Sequence, residues 1–435
     1  MHRTQSGPET PHSDLTPSQV LGSHLKPGCA EQGIADGLDG PGDPVHGQVV
    51  SPQHWMMLIS RYRPSFRERD AKRPAFCCNA RAAAKAAGSV LIALLLVSPA
   101  SAQYSARSDG DVVHLEDSAH QIRVSIVPSV GNVAFEMRVK EQNLLYFRYA
   151  DIAAFRSQPR LSGIPFLGPW ANRLDQQAFY ANGKRYVFNM DLGNVSGAHP
   201  IHGFLSFTDK WTVTKVKADK EAAWVTSRLD FYREPSWMAQ FPFAHSIEMT
   251  YQLAAGVLEV QLRLQNLSSE PMPVSIGFHP YFQLTDSPRE DWTIRIGAKK
   301  HWLLNGDKIP NGETVPIEQM FPDANRIELH DYSLDDVFSD LVRDADGRAL
   351  MRVKGKAQQL EVLFGPKYNT VVVFSPQPRD SANRAGAIAN FICFEPMAGI
   401  TDAMNMAYRG LYHELQMLPP GEIWQESFWI RPSGF

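Results

Sequence analysis

Cysteine is scarce in this chain, with four among 435 residues, and three of them (Cys29, Cys77 and Cys78) fall in the first hundred. The remaining Cys393 has no partner downstream of residue 103, so the rest of the chain cannot be held by an internal disulfide and must rely on an apolar core. Roughly 330 residues supply such a core easily. Charge of one sign is also lacking. A formal net charge of -3 with 20% charged residues gives no basic surface for nucleic acid. His-Glu-x-x-His, paired cysteines and dense aspartate clusters do not occur, which argues against a metal site built from His199, His202, His245 and His279. The absence of Gly-x-Ser-x-Gly, Gly-x-Gly-x-x-Gly and Walker patterns removes serine-hydrolase, dinucleotide and P-loop chemistry in their usual forms. Long apolar runs are missing as well: Val90–Val97 is too short to span a bilayer comfortably.

That short run has its own meaning. Arg81 and Lys85 precede it, and Ala100-Ser101-Ala102 comes after it with the small-x-small form of a signal-peptidase site. Residues 81–102 are therefore expected to form a signal peptide cleaved before Gln103, with an uncleaved anchor as the alternative. Residues 1–80 have no hydrophobic periodicity in their Gly-, Pro-, His- and Ser-rich first part, so a disordered or over-long N-terminal extension is expected, with Met56 or Met57 as a more economical start. The expected product is an exported protein, periplasmic or secreted, with no stable membrane association after cleavage. Cys77 and Cys78 precede the apolar run, which argues against a lipid anchor there.

From residue 103 the pattern is that of strands and turns. Ile247, Met249, Tyr251 and Leu253 alternate with polar neighbours, as do Leu258, Val260, Leu262 and Leu264, and Ala254-Ala255-Gly256-Val257 reads as the tight connection of a hairpin. Further short strands are expected at 122–126, 133–139, 211–216, 360–364 and 370–374. Asn-Gly pairs at Asn182-Gly183, Asn305-Gly306 and Asn311-Gly312 read as turns. With 31 prolines and 30 glycines and few helical periods, the fold class is all-β, a large antiparallel sandwich forming a single domain over 103–435.

Two ionisable groups stand inside apolar runs: His279 in Gly277-Phe278-His279-Pro280-Tyr281-Phe282, and Glu395 in Phe394-Glu395-Pro396. Water solvates an imidazolium or a carboxylate far better than aromatic neighbours do. Each group is thus either a hydrogen-bonded core residue or a proton-transfer group with a tuned pKa. Period-two alternation puts His279 and Tyr281 on one face with Gly277 leaving room beside them, and puts Glu395 on the face of Cys393. A donor and an acceptor of protons are the minimum for acid–base chemistry.

These motifs, together with 163–174 (Gly-Ile-Pro-Phe-Leu-Gly-Pro-Trp-Ala-Asn-Arg-Leu), Ile201-His202-Gly203-Phe204 and Leu334-Asp335-Asp336-Val337-Phe338, occur in the order and spacing of the aldose 1-epimerase (galactose mutarotase) family, which the chain resembles over most of residues 115–432. The resemblance implies a galactose-mutarotase-like super-sandwich with an open, metal-free and cofactor-free cleft that takes a small aldose. It assigns His279 as the acid at the ring oxygen and Glu395 as the base at the anomeric hydroxyl. Asn172, Arg173, His202, Tyr281 and Asp335 match positions that hold sugar hydroxyls. Asp335 and Asp336 are adjacent, so on a strand only one can face the sugar. With Glu395 ionised and His279 protonated at rest, a carboxylate or hydroxyl network favouring imidazolium is expected. Ser206 stands where some relatives carry an arginine, which weakens a phosphosugar reading. The alternative is a non-catalytic carbohydrate-binding protein on the same fold.

Overall fold

The computed structural model describes residues 102–192, 194–377 and 390–435. The expected N-terminal extension, the targeting segment up to Ser101 and the first three cysteines lie outside the described residues. Among the described residues the chain is built almost wholly from antiparallel strands. A five-stranded sheet opens the fold, and nine- and eight-stranded sheets form its bulk.

The nine-stranded sheet contains the hairpin expected from alternation. His245–Ala254 pairs with Val257–Asn266 along ten register positions, and the two-residue turn is closed by Ala255 at φ +47° and Gly256 at φ +76°. Both values belong to a turn whose twist matches that of the flanking strands. Asn182-Gly183 makes the same kind of turn between Ala178–Ala181 and Lys184–Val187. Asn311-Gly312 does not. It lies inside the strand Pro310–Pro316, where Gly312 at φ +103° passes beneath Leu411. The pair thus accommodates a close contact rather than a chain reversal.

The eight-stranded sheet positions the candidate site. Its order runs Pro310–Pro316, Ala298–Leu304, Leu334–Leu341, Thr370–Ser375, Ile392–Met397, Gly277–Phe278 and Phe166–Leu167, with Tyr281–Phe282 also pairing onto Ile392–Met397. The run 274–282 is therefore not one continuous strand. It breaks at His279-Pro280, where proline supplies no N–H to the ladder. Direct register partners share a face, so Asp335, Phe374, Cys393 and Tyr281 line up across the sheet, with Val337, Val372 and Glu395 in the next row. The other face carries Phe338, Val371, Val373, Ile392 and Phe394. These are fully buried in the main core with Phe364, Phe428 and Ile430 of the nine-stranded sheet. Phe278 meets Phe428 there with ring centroids 5.0 Å apart. Each such ring contributes about 1.5–3 kcal/mol by leaving water. Burial of this face obliges the alternate residues, Glu395 among them, to point the opposite way.

Part of that opposite face is covered. Helix Ala403–Tyr408 adds Ala403 and Met406 to the apolar cluster of Val337, Val372 and Met397 on that face, where Glu395 is also buried and Asp335 is half-buried.

Candidate active site

His279 enters from the break between two short strands, its N–H donating to the Pro165 carbonyl at 3.0 Å. Its ring lies parallel to Tyr281 at 4.6 Å and 7°, and Phe374 meets it edge-on at 5.9 Å. Both His279 and Tyr281 thus turn to one side, as their spacing requires. The space beside Gly277 is not open, however. A Cβ there would come within 2.1 Å of Met397 Sδ, so glycine lets the methionine pack against the backbone.

Glu395 faces His279 directly, with Nε2 and Oε1 3.2 Å apart and the two side chains 7% and 2% exposed. His279 Nδ1 and Glu395 Oε2 are buried without a hydrogen-bond partner among the described residues. Burial governs both groups. It lowers the His279 pKa to about 3, helped by the nearby Arg173 charge, and it pushes the Glu395 carboxyl well above the usual carboxylate range, reinforced by Asp335 and opposed by Arg173. The expected carboxylate beside His279 is Glu395 itself, the other neighbours are aromatic rings and the Arg173 guanidinium, and burial of the pair favours a neutral imidazole beside a protonated carboxyl. That state carries one proton between the two groups, as the imidazolium–carboxylate pair does, and the two forms interconvert by one transfer across the short contact.

The polar side of the site is made by two left-handed residues, Asn172 at φ +58° and His202 at φ +59°. The His202 N–H donates to the Asn172 carbonyl at 3.0 Å, and the Asn172 N–H donates to His202 Nδ1 at 3.2 Å. A nitrogen that accepts carries no proton, so the neutral ring is protonated at Nε2. Neutrality is enforced by burial and by the proximity of His279 and Arg173, which hold the His202 pKa well below 6.5. The two imidazoles meet edge to face at 5.5 Å. Gly203 is required here, because at φ +59° a Cβ would sit 2.0 Å from the Gly168 carbonyl oxygen.

Arg173 comes next along the chain. Asn172 Oδ1 accepts from both its backbone N–H (2.9 Å) and its Nη1 (3.2 Å), and Nη2 lies 3.9 Å from Asp335 Oδ2. Asp335 shares the face of Glu395. Asp336 points away, its Oδ1 3.1 Å from His301 Nε2, with the His301 ring stacked on Phe338. The structure thus brings Asn172, Arg173, His202, His279, Tyr281, Asp335 and Glu395 together, and places Asp336 on the other face.

Of the other histidines, His245 stacks on Phe231 in the core and His199 contacts the Leu174 carbonyl, so the four do not converge. Ser206 is buried, donating to the Phe166 carbonyl at 2.9 Å. Sequence reasoning missed Phe374, which is half-buried between Asp335 and Cys393 in register. Strand parity from Thr370 could have placed it on this face. With Tyr146, Leu161, Tyr281 and Phe391 it makes an apolar cluster beside His279.

An antiparallel super-sandwich of this order, with a buried imidazole–carboxylate pair on the sheet face opposite the main core, has the fold of the galactose mutarotases. A galactose mutarotase-like protein from Clostridium acetobutylicum matches with a TM-score of 0.65 and 23% identity, covering 76% of this chain and 98% of that one. Galactose 1-epimerase from Lactobacillus acidophilus NCFM matches with a TM-score of 0.60 and 15% identity, at 76% and 98% coverage. The chain belongs to the aldose 1-epimerase family, whose sequence model matches residues 113–431. The protein YihR of Escherichia coli K12 is 24% identical over 138 residues, 32% of this chain and 41% of YihR.

Proposed function

We propose that the protein is an aldose 1-epimerase that interconverts the α and β anomers of a free aldohexose, with Glu395 as base and His279 as acid. The observation that carries this is the 3.2 Å contact between His279 Nε2 and Glu395 Oε1. The anomeric hydroxyl oxygen and the ring oxygen of a pyranose are bonded to the same carbon, so a base and an acid serving them must be close neighbours. Transfer of the shared proton from carboxyl to imidazole creates both at once. Glu395 then takes the O1 proton, His279 protonates O5, and the C1–O5 bond breaks to give the open-chain aldehyde. Rotation about C1–C2 and reversal of both transfers close the other anomer. Each positioned group contributes about 10²- to 10⁴-fold. Arg173, Asp335, Asn172 and the Nε2–H of His202 offer donors and acceptors to the remaining hydroxyls.

A non-catalytic sugar-binding protein would use the same polar wall, and it would gain nothing from an unsatisfied buried acid–base pair, whose desolvation weakens the fold. Export of the chain through residues 81–102 is proposed on the sequence pattern alone. Polarimetry of freshly dissolved α-D-galactose and α-D-glucose tests the proposed activity. Acceleration above the water rate for either sugar is expected, whereas calorimetric binding of both without acceleration selects the binding protein.

A further inference from the structure

Asp402 makes no hydrogen bond to the acid–base pair among the described residues, yet it touches the backbone at Arg173 and just beyond it. It stands at the foot of helix Ala403–Tyr408 in the left-handed region, φ +60°, and is 1% exposed. Its own N–H donates to the Arg173 carbonyl at 3.1 Å, and its Oδ1 accepts the Asp175 N–H at 2.9 Å. Asn405 Nδ2 donates to the same Oδ1 at 2.6 Å and also reaches the Asp175 and Ala178 carbonyls at 3.2 and 2.9 Å. Arg409 Nη2 donates to Oδ2 at 2.6 Å. One buried side chain thus fixes the backbone that presents the Arg173 guanidinium to Asn172 and Asp335.

The charge on this carboxylate does not help the fold. Burial comes first among the influences on it and raises its pKa to about 6, against the lowering by the Asp175 N–H, Asn405 and Arg409. A folded-state value above the ordinary 3.8 means that the native protein holds the proton more tightly than the unfolded chain does. The group's contribution to stability is therefore fully present below the ordinary value and is lost as pH rises through about 6. At neutral pH the ionised Asp402 is a net cost to folding, and what it supplies is geometry. The charged groups that face it are Arg409 from its own helix and Asp175 from the Arg173 segment, and these two also approach each other at 3.5 Å.

We propose that Asp402 is a positioning residue whose carboxylate clamps the Arg173–Asp175 segment and so supports sugar binding by Arg173. The kinetic form of this proposal rests on the aldose reading above; its structural form does not. Hydrogen exchange of the Asp175 and Asp402 amides reads the clamp without any sugar. At pH 7.5, Asp402→Asn should lower protection of the Asp175 amide at least about fivefold relative to wild type, and Asp402→Ala at least as much. In steady-state polarimetry with D-galactose, Asp402→Asn should raise KM about tenfold with kcat within about threefold of wild type, because the misplaced group binds and does not react. Protection of the Asp175 amide unchanged in both variants overturns the clamp. No turnover by wild type, with protection lost in the variants, overturns the aldose reading and leaves the clamp standing.

Discussion

His245 and His279 are both buried histidines in apolar surroundings, and burial lowers both, to about 4 and about 3. In other respects they differ. His245 stacks on Phe231 at 4.2 Å, and its Nδ1–H donates to the Phe243 carbonyl at 2.7 Å, so the polar atom that needs a partner has one within the chain. His279 keeps Nδ1 unpartnered among the described residues and turns Nε2 to a carboxylate. A depressed histidine pKa therefore reports burial alone. It is the unmet hydrogen-bonding capacity beside a second ionisable group that separates a reactive histidine from a packed one.

The sharpest way to break this contrast is to remove the ionisable carboxyl of Glu395. Glu395→Gln keeps the volume and loses the basic oxygen, and polarimetry should show kcat/KM lowered by at least about 10²-fold, with His279→Asn similar. Calorimetric affinity for the sugar should change little in either variant. A fully active Glu395→Gln would mean that the contact at 3.2 Å is structural, like that of His245.

Next in size is an effect on stability. A histidine whose folded pKa is depressed from 6.5 to about 4 contributes stability that is complete above pH 6.5 and is lost as pH falls through 4. For His245 the loss is on the order of 3 kcal/mol. Urea denaturation at stepped pH should show it, and His245→Phe should abolish that part of the pH dependence. An unchanged slope in His245→Phe would assign the acid sensitivity to other groups.

Smaller again is the change expected from the rim. Asp335→Asn retains one acceptor but loses the charge beside Arg173, and should raise KM about tenfold with kcat nearly preserved. A loss confined to kcat would instead place Asp335 in the proton transfer.

Much of this was legible in the residues. Period-two alternation and the Ala255-Gly256 turn sufficed for the hairpin, and the same parity put Glu395 with Cys393, opposite the core face of Phe394. Adjacency alone could not choose between Asp335 and Asp336. That choice depends on which face packs against the core, and on His301 lying across from Asp336. The Asn311-Gly312 pair misled because a turn-prone dipeptide also suits a strand that must pass under a side chain such as Leu411. Proton positions are not legible from the sequence for a related reason. Spacing shows which groups meet, while the direction of a pKa shift depends on everything packed around them, here Tyr281, Phe374 and Arg173. Asp402 had no legible signal, because its importance lies in backbone contacts with a segment more than two hundred residues earlier.

The most direct test is exchange spectroscopy on an equilibrated aldohexose, in which NMR tracks magnetisation passing between the α and β anomeric protons at pH 7. Catalytic amounts of wild-type protein should produce α–β exchange peaks for D-galactose or D-glucose, and Glu395→Gln should abolish them while still broadening the sugar signals through binding. Broadening without exchange peaks in the wild type, for both sugars, would contradict a catalytic role for the His279–Glu395 pair.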